Sequence, residues 1–96
     1  MKLELGKQIE VTRGTQVPMF GGKPMTIGDL LLQVIPQCAV NNERAVRLWR
    51  IAMDIDKAGP EAIDMPKEDY DLLKTVVLRG DRPTWVMANL SMAFDE

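Results

Sequence analysis

The segment 42–57, NERAVRLWRIAMDIDK, constrains the fold of this chain more than any other part of its sequence. At about 100° per residue, its apolar side chains cover well over half of the helix circumference. A helix with so much apolar surface must be covered on more than one side. The pattern therefore predicts the central helix of a small domain, with Trp49 and Ala52 nearly inaccessible to solvent. The apolar residues are Ala45, Val46, Leu48, Trp49, Ile51, Ala52, Met53 and Ile55.

Signals at both ends of this segment delimit the predicted helix. Asn41 or Asn42 can cap its N-terminus, since an asparagine side-chain oxygen accepts a hydrogen bond from a backbone N–H of the first turn. Gly59 and Pro60 follow the last turn and are a common pair at helix ends. The helix is therefore expected to span about 42–57.

A first helix is predicted to begin at Thr26. Thr26 and Asp29 have the spacing of a capping box, in which each side chain bonds the backbone N–H of the other residue. Met25 and Leu30 stand at the two positions of a hydrophobic staple across the same helix start. Pro36 should stop or kink this helix, because Ile35, the residue before the proline, is pushed away from helical backbone angles.

Two further helices are predicted in the C-terminal half. Pro66 suits the first position of a third helix, and Gly80 ends it. A last helix is expected over 83–94. Residues 61–65 are predicted to form a loop or a short extended piece between the second and third helices.

Residues 1–25 are predicted to be extended, because their apolar residues alternate with polar ones as in a half-buried strand. A turn at Arg13-Gly14 would let residues 15–20 return as a second strand, and Gly21-Gly22 turns the chain again. An ordered arm without regular pairing is the alternative. The alternating apolar residues are Leu3, Leu5, Ile9 and Val11.

These signals together predict one domain over residues 1–96, of the α+β class and mainly α. A chain of 96 residues is enough for one domain and too short for two. Residues 1–25 would form the β-hairpin or extended arm. Residues 26–96 would form a core of about four helices, packed around the central helix 42–57.

Residue types on which many enzymes depend are scarce in this chain. It has no histidine and one cysteine, so it lacks a Ser–His or Cys–His pair, and Cys38 alone cannot build a zinc site. Cys38 is interpreted as a small buried hydrophobic residue. The carboxylates fall mainly on helix faces and termini, where solvation and capping explain them. We therefore predict a protein that is not an enzyme and uses no cofactor, metal or small-molecule substrate.

Charge and hydropathy argue against further classes of partner. The net charge of −2 does not show the excess of positive charge that is typical of nucleic-acid-binding domains. No apolar run approaches the roughly 20 residues that a membrane span requires. The N-terminal sequence MKLELGKQIE places charges where a signal peptide has its apolar core. A cytoplasmic protein without a membrane partner is expected.

Arg44, Arg47 and Arg50 are the candidate residues for an alternative function, that of a small nucleic-acid-binding regulator. Their three-residue spacing carries the positive charges around the helix and does not concentrate them in one tight patch. Glu43 and Asp54 lie beside them. A solvated helix face therefore explains the arginines better than a phosphate-binding ridge does.

The last predicted helix carries two apolar stripes and supplies the candidate interaction residues Trp85, Val86, Leu90 and Phe94. A surface helix of a monomer needs only one such stripe. The second stripe must be covered by the N-terminal arm, by a second copy in a symmetric dimer, or by a partner's groove. One stripe contains Trp85, Ala88 and Met92, and the other contains Val86, Met87, Leu90, Ala93 and Phe94.

The order of these signals resembles a group of small proteins encoded by tailed bacteriophages and prophages. The shared features are a short N-terminal arm, a segment like KPMTIGDLLLQVI, a helix like ERAVRLWRIAMDI and an acidic helix start like PKEDYDLLKTVV, over about residues 23–90. The resemblance implies a non-enzymatic accessory protein of the host cytoplasm. It implies binding to another copy or to another phage or host protein, in virion assembly or host takeover. It carries over no functional residues.

Overall fold

A computed structural model describes residues 1–13 and 18–94 of the chain. Within them it contains four α-helices, four two-residue strands and one 3-10 turn, so the predicted α+β, mainly α class is confirmed. The elements are β1 (Lys2–Leu3), β2 (Met19–Phe20), β3 (Lys23–Pro24), α1 (Ile27–Val34), the 3-10 turn (Ile35–Gln37), α2 (Asn42–Ala58), β4 (Ile63–Asp64), α3 (Lys67–Val77) and α4 (Thr84–Phe94).

The start of α1 has the predicted capping box. The Asp29 backbone N–H donates to Thr26 Oγ1 at 3.3 Å, and the Thr26 N–H donates to Asp29 Oδ2 at 3.1 Å. Two N–H groups that the helix itself cannot satisfy are therefore bonded reciprocally. Met25 and Leu30, the predicted staple pair, are both buried.

The other helix boundaries also follow the local signals closely. The Asn41 side chain accepts from the Arg44 N–H at 2.9 Å and caps α2. The α-helical part of the first helix ends at Val34, and the 3-10 turn that contains Pro36 follows. The predicted reason for this end is wrong, because Ile35, the residue before Pro36, keeps helical angles (φ −54°, ψ −47°). Pro66 is the N-cap residue of α3 and not its first helical residue, so the helix begins one residue later than predicted. The predicted extended piece between α2 and α3 is β4.

The N-terminal arm, residues 1–13, follows the predicted extended-arm alternative, and within the described residues it forms no hairpin with residues 18–20. β1 instead pairs with β4 in antiparallel register, Lys2 opposite Asp64 and Leu3 opposite Ile63. The arm then runs along the start of α1, where the Gly28 N–H donates to the Leu5 oxygen at 3.0 Å. The arm has no regular long strand because its backbone bonds are divided among β4, the start of α1 and Asn89 of α4. The predicted Arg13-Gly14 turn falls partly outside the described residues, as do positions 15–17 of the predicted second strand.

A short hairpin does form at Gly21-Gly22, where a turn was predicted. It joins β2 to β3, which pair in antiparallel register. Both glycines have positive φ, 60° and 79°, as a type I′ turn requires. Residues with a side chain rarely adopt these angles, so the two glycines permit the tight return.

The hydrophobic core lies between the N-terminal arm, α1, α3 and α4, with the inner face of α2 closing one side. Trp49 is 56% exposed, so its predicted burial is wrong, whereas the predicted burial of Ala52 is confirmed. Helical periodicity located the apolar positions of α2 but did not show that neighbours cover one face only. The least accessible large side chains are Leu3, Leu5, Leu31, Ile55, Leu73, Val77 and Leu90.

α4 is fixed to both the arm and α3 by buried polar contacts. Asn89 accepts from the Glu10 N–H at 2.8 Å and donates to the Glu10 oxygen at 3.0 Å and to the Trp85 oxygen at 2.7 Å. The Tyr70 hydroxyl donates to the Phe94 oxygen at 2.6 Å, and the two rings meet edge to face with centroids 5.3 Å apart. These bonds satisfy polar atoms whose burial would otherwise be costly.

Replacing Thr26 by alanine should lower the free energy of unfolding by about 0.5–2 kcal/mol, because an α1 N–H loses its acceptor. Thr75→Ala is the matched control, since Thr75 is exposed in the last turn of α3, away from any N-cap, and alanine is well tolerated within a helix. Chemical denaturation of the three proteins measures the difference. Equal stability of the two variants would contradict the capping role of Thr26.

The position of α2 is tested by comparing Leu73→Ala with Trp49→Ala. Leu73 is fully buried, so its truncation should cost about 2–5 kcal/mol of unfolding free energy. Trp49 keeps more than half of its surface in water, so its truncation should cost about 1 kcal/mol or less. If denaturation shows the larger loss for Trp49→Ala, α2 is covered on its outer face within the chain itself.

Candidate protein-interaction surface

The outer face of α2 carries an exposed apolar strip made of Val46, Trp49 and Met53, which we call the α2 strip. These side chains are 53%, 56% and 49% exposed. Their spacing of three and four residues places them side by side on one face of the helix. Leu48, Ile51, Ala52 and Ile55 form the opposite, buried face.

A shallow groove of about 140 Å³ runs between the α2 strip and α1. Leu32 and Pro36 line its far side, Ala52 lies between Trp49 and Met53 on the near side, and Asp56 lies at one end. A second depression, lined partly by Val40 and Ala45, borders the other side of Trp49. Trp49 is therefore the raised centre of an apolar surface that continues beyond its own helix.

Charged side chains follow one edge of the α2 strip. Glu43, Arg50 and Lys57 are exposed and are spaced by seven residues, which keeps them on the same edge of the helix. Asp56 lies on the opposite edge, towards α1. An apolar centre with charged edges is the arrangement expected of a surface that excludes water in its middle.

The structure divides the candidate interaction residues of α4 into two groups. Val86, Leu90 and Phe94 are buried in the core of the chain's own fold, where α4 packs against α1 and the Phe94 ring meets Tyr70 of α3. They are therefore not available as a binding surface on the folded chain. Trp85 is 37% exposed and lies on the outer stripe with Ala88 and Met92.

The outer stripe of α4 borders a depression of about 560 Å³. Its walls come from Trp85, Ala88 and Met92 of α4 and from Glu10 and Val11 of the arm. Asn89, which interrupts the apolar residues of α4, holds the two walls together through its bonds to Glu10. A lone amide within an otherwise apolar helix was the available signal for such an anchor.

The structure does not bring Arg44, Arg47 and Arg50 together into one patch. Arg47 Nη2 bonds Asp69 Oδ1 at 2.7 Å, across to α3. This hydrogen bond raises the pKa of the Arg47 guanidinium above its ordinary value, so Arg47 stays charged but its charge is balanced by the Asp69 carboxylate. Arg44 and Arg50 are exposed. Of the three candidate arginines, Arg44 and Arg50 thus remain as separated, exposed cations on α2, which also carries the exposed Lys57.

Two reactive side chains, the Asp29 carboxylate and the Cys38 thiol, are engaged in hydrogen bonds that support the fold. A cleft of about 370 Å³ contains Asp29 and Asp56, but the Asp29 carboxylate is engaged in the α1 capping box. Cys38, interpreted as a small buried hydrophobic residue, is half-buried against the core, and its thiol donates to the Val34 oxygen at 3.4 Å. Arg82 donates to the same sulfur at 3.4 Å and to the Val77 oxygen at 3.0 Å, which ties the α3 C-terminus to the turn after α1.

The described residues contain neither a group of metal-binding side chains nor a helix that could span a membrane. In residues 1–13 and 18–94, no group of three or more Cys, Asp or Glu side chains lies close enough to hold a metal ion. In the same part of the chain, no helix has the length and apolar character that crossing a membrane requires. The chain matches no protein-family model, no curated protein and no solved structure.

Proposed function

We propose that this chain is a non-enzymatic protein-interaction module and that the α2 strip is its binding surface. The observation that carries the proposal is the exposure of Trp49, at 56%, between two other half-exposed apolar side chains. Tryptophan is enriched among the residues that dominate binding energy at protein interfaces. Contiguous exposed apolar surface on a small protein is typical of an interaction site.

The shape of the surface favours a protein partner over a small molecule. The groove beside Trp49 holds about 140 Å³, whereas sites for drug-sized ligands usually hold about 300–1,000 Å³ and enclose most of the ligand. A protein can instead lie across the strip and cover Trp49, Met53 and the groove together. Asp56 and Lys57 at the end of the strip remain available for polar contacts at the rim.

The cellular setting is proposed from the resemblance to small phage and prophage proteins. In that setting the module acts in the host cytoplasm, in virion assembly or host takeover, and binds another copy or another phage or host protein. The alternative role, a nucleic-acid-binding regulator, has less support, since one of its three arginines is paired with Asp69. The absence of histidine from the chain also favours binding over catalysis.

Affinity capture with three versions of the tagged chain tests the proposed surface. The versions are the wild type, Trp49→Ser, and the matched control Trp85→Ser, which truncates the exposed tryptophan of α4. We expect the wild type and the Trp85 variant to retain a protein, identified by mass spectrometry, that the Trp49 variant loses. The reason is that truncating an aromatic residue at the centre of an interface typically costs about 2 kcal/mol or more of binding energy.

Two results would contradict the proposed surface. Identical sets of captured proteins for the wild type and Trp49→Ser would show that none of these proteins binds through the centre of the α2 strip. Loss of the partner only in Trp85→Ser would move the binding surface to α4. Circular dichroism of each variant confirms that the fold is retained, which the exposure of both side chains leads us to expect.

A further inference from the structure

We propose that the partner of the α2 strip is the α2 strip of a second copy of this chain, with the two helices antiparallel. This inference rests on the proposed function, since it names the partner of the same surface. It is carried by the order of apolar and charged residues along α2, which spans Asn42–Ala58.

The α2 strip has the spacing of a coiled-coil seam. Val46, Trp49 and Met53 are separated by three and then four residues, which is the a–d–a spacing of a heptad repeat. The seam lies on the outer face, whereas the inner face, around Ile51 and Ile55, is buried in the chain's own core. α2 therefore has one apolar face for its own fold and a second that suits packing against another helix.

The charged edge of the strip is complementary to itself when a second copy lies antiparallel. Arg50 is the midpoint of the 17 residues of α2, and Glu43 and Lys57 stand seven residues on either side of it. A two-fold axis through the middle of α2 reverses the helix direction and keeps the same edge on the same side. Glu43 of each copy then faces Lys57 of the other, which gives two reciprocal ion pairs about 21 Å apart at 1.5 Å per residue.

A parallel pair does not have this complementarity. It would place the edge of Glu43 and Lys57 against the opposite edge of the second copy, where the corresponding heptad positions are Ala45 and Ala52. Neither alanine can pair with a charge, and Asp56, the charged residue of that opposite edge, lies level with Lys57 only, so Glu43 of both copies would stay unpaired. The pattern of charges therefore selects the antiparallel arrangement.

The predicted dimer is weak. One helix pair covers less surface than the roughly 1,200–2,000 Å² of a stable interface. The two Arg50 side chains also approach each other at the axis, and like charges at that point oppose association. We therefore expect a reversible dimer with a dissociation constant of about 10 µM to 1 mM.

Sedimentation equilibrium of the full chain and a charge-reversal series tests the proposal. We expect the wild type to dimerise, Trp49→Ser to be monomeric, and Glu43→Lys or Lys57→Glu to weaken the dimer about fivefold to thirtyfold, since each change affects two ion pairs. The double variant, Glu43→Lys with Lys57→Glu, should recover most of the wild-type affinity because the pairs are restored with their signs exchanged. Lys67→Glu is the control for Lys57→Glu. It makes the same Lys-to-Glu charge change at an exposed position of α3 and should leave the dimer unchanged.

Three results would overturn the antiparallel dimer: a wild-type monomer at every concentration, a Trp49→Ser variant that dimerises normally, or a double variant as weak as the single ones. Each is read only for variants whose circular dichroism matches the wild type. If one of the two single reversals does not fold, the other and the double variant still decide between these outcomes. A monomer that nevertheless captures another protein through Trp49 would remove the second copy as the partner and leave the proposed function intact.

Discussion

The backbone pairing of the N-terminal arm with the start of α1 is the interaction on which the rest of the structure depends. The arm places Leu3, Leu5 and Ile9 in the core and bonds α1 through the Gly28 N–H. A Cβ atom on Gly6 would lie 2.2 Å from the Pro60 oxygen, so the arm also lies directly against the loop after α2. Because the arm, α3 and α4 fill the core, α2 needs to cover only one side of it, and its outer face is left open.

Local hydrogen-bond chemistry made several parts of the fold predictable from sequence. Thr26, Asn41 and the Gly21-Gly22 turn each act within a few residues of chain, where the type and spacing of side chains determine the geometry. The pairing of Lys2 with Asp64 was not predictable in this way, since it joins distant parts of the chain. Two-residue strands also carry too little pattern to reveal a partner.

The sequence also did not reveal which apolar side chains of the candidate site are buried and which are exposed. Periodicity identified two apolar stripes on α4, and the structure buries the one that contains Leu90 while leaving Trp85 on the surface. For α2 the same reasoning placed Trp49 inside, because an apolar position alone does not reveal whether a neighbour within the chain covers it. The seven-residue spacing of Glu43, Arg50 and Lys57 was visible in the sequence, but its meaning depends on knowing which face of α2 is exposed.

The proposed antiparallel dimer leaves the outer face of α2 open in one chain and covers it when two chains meet. NMR of the Trp85→Phe variant tests it directly, because Trp49 is then the only tryptophan and gives a single indole N–H signal. A soluble paramagnetic agent should broaden this signal strongly in dilute protein and progressively less as the concentration rises from about 10 µM to 1 mM. A Trp49 indole shielded at every concentration, or equally accessible at every concentration, would contradict the account.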